Sequence, residues 1–322
     1  MLSRAFMRLV DLLPVPSQRV QRLIALAVVI TQAGIAVTGA VVRVTASGLG
    51  CPTWPKCFPG SFTPVPHAAT GYHQAIEFSN RLLTFVVTVA AAAVVLAVLR
   101  ARRRREVVAY AWLMPGGTVL QAVLGGITVR AGLLWWTVSI HMLASMLMVW
   151  LAGVLWVKVA EPDDGVVVTQ APAPLRALTV LSGIALAATL VAGTLVTGAG
   201  PHAGDKSVDK TVPRLQVEIP TLVHAHAELL VAYLCLLIGL GFGLATVGVT
   251  RTVRTHYIVV LALVCAQALI GVVQYFTDVP GGLVVLHVAG AGACTAATAA
   301  LWATLRTREH VPAPVTEVAT TR

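Results

Sequence analysis

Eight apolar stretches follow one another along the 322-residue chain, at about 22–43, 73–98, 108–129, 137–158, 176–197, 222–246, 255–275 and 283–304. About 20 helical residues cross roughly 30 Å of hydrocarbon, so each stretch is long enough to span a bilayer. A barrel strand would need only about ten residues of alternating polarity, and these Leu-, Ala- and Val-rich runs do not alternate. The polar residues inside the stretches recur in register. Asn80, Gln121 and His141 are 41 and 20 residues apart, and so are His226, Gln267 and His287. Val-Thr-Gly-Ala at 37–40 returns at 196–199, and Gln121-Ala-Val-Leu-Gly resembles Gln267-Ala-Leu-Ile-Gly. The pattern predicts an all-α membrane protein whose eight transmembrane helices form two pseudo-symmetric four-helix bundles, 22–158 and 176–304. An N-terminal segment, 1–21, and a tail, 305–322, flank them.

Composition agrees. The chain is 57% hydrophobic and 11% charged, outside the range of soluble domains. Sixteen of the 23 Lys and Arg fall on the side of the two termini, which places both termini in the cytoplasm of a multi-pass cell-membrane protein. The net charge of +10 is thus mainly a topology signal. The run Arg102 to Arg105 sits in a short loop between spans and reads as a positive-inside anchor, so lipids and not nucleic acid are the expected surroundings. The basic N-terminus precedes an apolar run as in a signal peptide, but no small-residue cleavage site follows, and the run is read as a retained span. The polar tail from about residue 305, with Pro312 and Pro314, is expected to be disordered.

The two large outer loops differ. The first, about 44–72, is rich in Pro and Gly and contains Cys51-Pro-Thr-Trp-Pro-Lys-Cys57; its counterpart, about 198–221, has no cysteine, and the stretch from Val-Thr-Gly-Ala to the next helix is 13 residues shorter there. On the outer side a Cys51–Cys57 disulfide can persist, either as a structural staple or as a redox-active pair. A zinc site is disfavoured, because no second Cys or His pair sits at suitable spacing. Cys235, Cys265 and Cys294 lie within spans as packing residues.

Ionisable groups inside a membrane are costly and mark function by default. His226 and His287 lie at one depth on antiparallel helices. Two imidazoles facing each other in an apolar slot suit a six-coordinate haem, whereas the plainer alternative is a hydrogen-bonded helix-packing pair. His224 points to another face, and His67, His73 and His202 lie near the outer surface as propionate partners or solvated groups. Gln121 and Gln267 read as interhelical hydrogen-bond donors. Glu77 is one turn from Asn80 and four residues from Arg81 and His73, on one broad stripe directed at the first-half site. It is a candidate proton acceptor or cation stabiliser, with a simple Arg81 ion pair as the competing role.

Taken together, the two four-helix halves, the cysteine pair, Glu-Phe-Ser-Asn-Arg at 77–81 and the histidines at 141, 226 and 287 resemble the haem A synthase family over about residues 20–305. The resemblance implies a haem b held by His226 and His287. It further implies that the first half takes haem O as substrate and oxidises a ring methyl through an alcohol to the formyl group of haem A, with water as oxygen source. Glu77 matches the family's catalytic carboxylate, and Cys51 and Cys57 its loop cysteines. A haem O synthase (protohaem farnesyltransferase) and an electron acceptor are implied partners. One position departs: the family has histidine where Asn80 stands, and an amide is a poor iron ligand. His141 is then the expected sole ligand of the substrate haem, with His73 as the alternative second one. Two rival readings, a di-haem electron carrier and a repeat-built transporter, leave Glu77 without a role or require interrupted helices with polar groups at mid-membrane.

Overall fold

A computed structural model describes residues 4–66, 71–205 and 211–310. His67, Pro312 and Pro314, invoked above, lie outside the described residues. A short helix α1 (Arg4–Asp11) precedes α2 (Gln18–Val44), α3 (Tyr72–Arg100), α4 (Arg105–Arg130) and α5 (Trp135–Val159). Strand β1 (Val166–Thr169) leads to α6 (Ala173–Ala199), α7 (Ile219–Val247), α8 (Arg251–Phe276), α9 (Gly281–Thr304) and β2 (Arg306–Glu309). Among the described residues eight helices, α2 to α9, are long and apolar enough to cross a membrane, making this a multi-pass membrane protein. They extend a few residues past the apolar runs, because Arg and Lys continue the helix while placing their charges at the interface. Ser17 caps α2 by accepting from the Val20 amide at 3.3 Å. Pro220 opens α7, and Gly248, at φ 69°, ends it.

The two halves pack differently. In the first, α2–α3, α3–α4, α4–α5 and α5–α2 all pack extensively and close a ring. In the second, α6–α7 and α8–α9 form tight hairpins, but α6–α9 and α7–α8 touch sparsely. A slot is therefore left between the hairpins. The halves meet where α9 lies against α2 and α5, and α5 against α6. Small residues make that approach possible: a Cβ on Gly153 would lie 3.0 Å from the Ala296 carbonyl and 3.2 Å from the Ala299 methyl. Large apolar side chains such as Phe85, Phe242 and Leu269 point outward, as a lipid solvent allows.

The terminal end of the bundle corrects one expectation. Residues 306–309 are not disordered; they pair antiparallel with 166–169, from Val166 opposite Glu309 to Thr169 opposite Arg306. The end of α9 and the α5–α6 connection emerge side by side, and pairing satisfies backbone groups that neither could satisfy alone. Lys158 ties the ribbon down, its Nζ reaching Glu161 at 2.9 Å and the Arg306 carbonyl at 3.0 Å. The arginine run is more than an interfacial anchor. Arg103 and Arg104 are largely buried and pair with Asp163 and Glu161, fastening the α3–α4 turn to the end of α5.

Candidate functional site

The slot in the second half is lined by apolar side chains, among them Leu186, Leu230, Val264 and Ala291, with Met142 and Met146 closing it from α5. Two imidazoles enter it from opposite hairpins. His226 on α7 and His287 on α9 have ring centroids 6.3 Å apart, with planes inclined at 61°. The Nδ1 of His226 lies 2.9 Å from the Thr189 carbonyl. A carbonyl only accepts, so Nδ1 carries the proton and Nε2 offers its lone pair to the slot. The His287 Nδ1 is buried without a partner. A centroid separation of 6.3 Å leaves room for one metal ion between the two rings, at metal–imidazole bonds of about 2.0–2.1 Å.

Glycines seat both rings. A Cβ on Gly193 would come within 3.1 Å of His226 Cε1, and one on Gly271 within 3.3 Å of His287 Cε1. Gln267 donates from Nε2 to the His287 carbonyl at 2.6 Å and so fixes α8 to α9, the role expected of it. Among the described residues no three His, Cys, Asp or Glu side chains converge as a metal cage. A donor set of two facing imidazoles in an apolar slot fits a metal that brings its own equatorial ligands, as haem iron does.

In the first half, the same parts are arranged around His141. It is the seventh residue of α5, as His287 is of α9. A Cβ on Gly125 would touch its ring at 3.5 Å, and Gln121 Nε2 reaches the His141 carbonyl at 3.5 Å and Ser145 Oγ at 2.7 Å. The His141 Nδ1 is buried and unpartnered. Asn80 occupies the position equivalent to His226 but accepts a hydrogen bond from Thr38 Oγ1 at 2.7 Å, across α2 and α3.

The Glu77 carboxylate departs from its expected direction. Its Oε1 accepts from Arg81 Nη2 at 2.6 Å and Nε at 3.1 Å, and its Oε2 from the Cys51 amide at 2.6 Å. Arg81 also donates to the carbonyls of Cys51, Thr53 and Lys56. This pair grips the backbone of the cysteine loop instead of turning to His141, because the loop supplies the strongest donors and acceptors within reach of a buried carboxylate. Both partners are shielded, with side chains 6% and 21% exposed, so this is not a surface ion pair.

Within the loop, Cys51 and Cys57 form a disulfide and are 0% and 1% exposed, which hinders exchange with an external thiol. Trp54 packs on α4, where a Cβ on Gly126 would meet its ring at 2.5 Å, and the Arg130 guanidinium stands 5.7 Å from the ring centre. Gly126 is the neighbour of Gly125, the seat of His141. The loop thus docks on α4 at the residue next to the seat of His141.

The remaining candidates are placed elsewhere. His73 Nδ1 is 2.9 Å from Ser47 Oγ at the base of the loop. His202 Nε2 meets the Val279 carbonyl, and His224 is exposed on another face of α7. Sequence reasoning passed over the glycine seats, although Gly125 and Gly271 stand at equivalent places in the two repeated Gln-containing segments. It also passed over Trp54 as the residue that docks the loop.

Residues 22–305 match the COX15-CtaA family, cytochrome oxidase assembly protein. The Heme A synthase of Geobacillus thermodenitrificans is 30% identical over 93 residues. That stretch covers 29% of this chain and 28% of the relative's length. The family match runs from the first span to the last, through both halves and the disulfide loop, and the chain belongs to the COX15-CtaA family of cytochrome oxidase assembly proteins.

Proposed function

We propose that this protein is a haem A synthase, an oxidoreductase that converts the ring methyl of haem O through an alcohol to the formyl group of haem A. The observation that carries this reading is the matched presentation of His141 and His287, each seated on a glycine and fastened by a glutamine, with a facing imidazole, His226, among the described residues only in the second half. A complete axial pair suits a resident haem b; a single imidazole suits a substrate haem that must enter and leave. The net change is R–CH3 + H2O → R–CHO + 4 H⁺ + 4 e⁻, so a separate electron acceptor is required.

In this reading His226 and His287 hold haem b, whose iron supplies a one-electron redox centre when bound. His141 would hold the substrate haem, and Asn80, tied to Thr38, offers no imidazole as its counterpart. Glu77 and Arg81 fix the cysteine loop over this site, so Glu77 acts first as a positioning residue. A proton-accepting role would follow only if the Arg81 and Cys51 contacts opened. With both termini cytoplasmic, the disulfide loop and the histidines lie toward the outer face, and a haem O synthase in the same membrane would supply the substrate.

The test is co-expression with a haem O source, followed by extraction and chromatography of the haems and a dithionite-reduced spectrum. Haem A formation together with a low-spin b-type spectrum is expected. A low-spin spectrum without haem A would favour the di-haem electron carrier, and no haem signal at all would favour a transporter.

A further inference from the structure

Arg43, near the end of α2, and Arg214, in the segment between α6 and α7, converge on one acceptor. Arg43 Nη2 donates to the Thr197 carbonyl at 3.0 Å and Arg214 Nη2 to the same oxygen at 2.8 Å. Arg214 also donates to the Gly200 carbonyl. Arg43 Nε and Arg214 Nη1 are buried without any hydrogen-bond partner. Neither guanidinium forms an ion pair with a described carboxylate, whereas Arg81, Arg103 and Arg104 all do. Two like charges sharing one carbonyl repel each other, and each keeps a desolvated donor aimed at nothing.

A plain structural role explains part of this. Thr197 and Gly200 end α6, and basic side chains satisfy the last carbonyls of a helix and complement its dipole. That role accounts for the bonds made but not for the two buried donors left over. The position accounts for them. Thr189, Gly193 and Thr197 are spaced four apart and share one face of α6, all three lining the slot. The Thr189 carbonyl holds His226, Gly193 seats its ring, and Thr197 lies one turn, about 5.4 Å, nearer the disulfide face. A haem carries both its carboxylates on one edge, and the two arginines bond the carbonyl of Thr197, the slot-lining residue at that end of α6.

We infer that Arg43 and Arg214 form the carboxylate clamp for the two propionates of the haem held between His226 and His287. The inference rests on the haem reading above. It also makes the second-half site dependent on the first half, since Arg43 belongs to α2. Bidentate guanidinium–carboxylate pairing uses the donors left unpaired here and removes the repulsion between the two cations.

The experiment titrates the purified full chain in detergent with haem b and with haem b dimethyl ester, following the low-spin spectrum and midpoint potential of each complex. Wild type is expected to bind the free acid at least about tenfold more tightly than the ester. Arg43→Gln and Arg214→Gln should each narrow that preference and the double variant abolish it, while the bis-imidazole spectrum still forms at saturating haem; the Arg→Lys variants should restore part of it. The potential of the free-acid complex should shift in the Gln variants, and that of the ester complex should not. Equal wild-type affinity for acid and ester overturns the clamp, as does an undiminished preference in the double variant. No low-spin spectrum with either porphyrin in wild type overturns the haem reading itself, and the clamp with it.

Discussion

Three donor atoms hold the Glu77 carboxylate, two from Arg81 and one from the Cys51 amide. Removing one member of a shielded pair leaves the other charge uncompensated, which costs roughly 3 kcal/mol or more. Glu77→Gln is therefore expected to lower thermal stability measurably and to stop haem A formation, while the low-spin spectrum of the second half persists. Adding Arg81→Gln should recover stability but not activity, because the loop carbonyls lose their donor as well. Normal haem A formation in the single variant, or its full rescue in the double variant, would show that the carboxylate does no more than neutralise Arg81. At the other site, His226→Ala and His287→Ala should each abolish the low-spin spectrum. An unchanged spectrum in both would remove these residues as ligands.

Among the elements, the disulfide loop is the one added to a duplicated frame. Closing so short a loop contributes roughly 2 kcal/mol by chain entropy, and alkylation with mass spectrometry of protein isolated without reductant should find Cys51 and Cys57 linked. Two freely alkylated thiols would contradict this. Docking depends on the bare surface of α4 at Gly126. Gly126→Leu should displace Trp54, accelerate tryptic cleavage after Lys56 and reduce haem A formation, with the second-half haem retained. Cleavage at the wild-type rate would mean that Trp54 does not anchor the loop. The terminal ribbon has a different task. Truncation after Leu305 removes the β1–β2 ladder and the Lys158–Arg306 contact, and should lower the melting temperature without changing the haem spectrum.

For the whole molecule, the closed first ring and the slotted second half predict that loss of the first-half histidine alone spares the second-half slot. His141→Ala should leave the second-half low-spin spectrum intact and prevent substrate haem from being held, measured by extraction after co-expression. Loss of both haems in this variant would show that the halves bind as one unit. Their common wall, where α9 packs on α2 and α5, couples the halves structurally through the Gly153 contact, and Arg43 of α2 adds a bond to Thr197 of α6.

Chain pattern alone determined the eight spans, the two halves and the equivalence of His141 with His287. Lipid-facing helices announce themselves by length and apolarity, and a duplication keeps its polar residues at fixed spacing. It also singled out the cysteine pair and the glutamine bridges. Tertiary structure decided where long, flexible polar side chains go. Glu77 and Asn80 share a helical face by spacing, yet one bonds the loop and the other Thr38, because partners distant in sequence were the better acceptors and donors. The ribbon at 306–309, the seat of Trp54 and the convergence of Arg43 with Arg214 likewise depend on segments far apart in the chain. Local periodicity records which face a residue occupies, whereas the partner it meets there is set by how the helices pack.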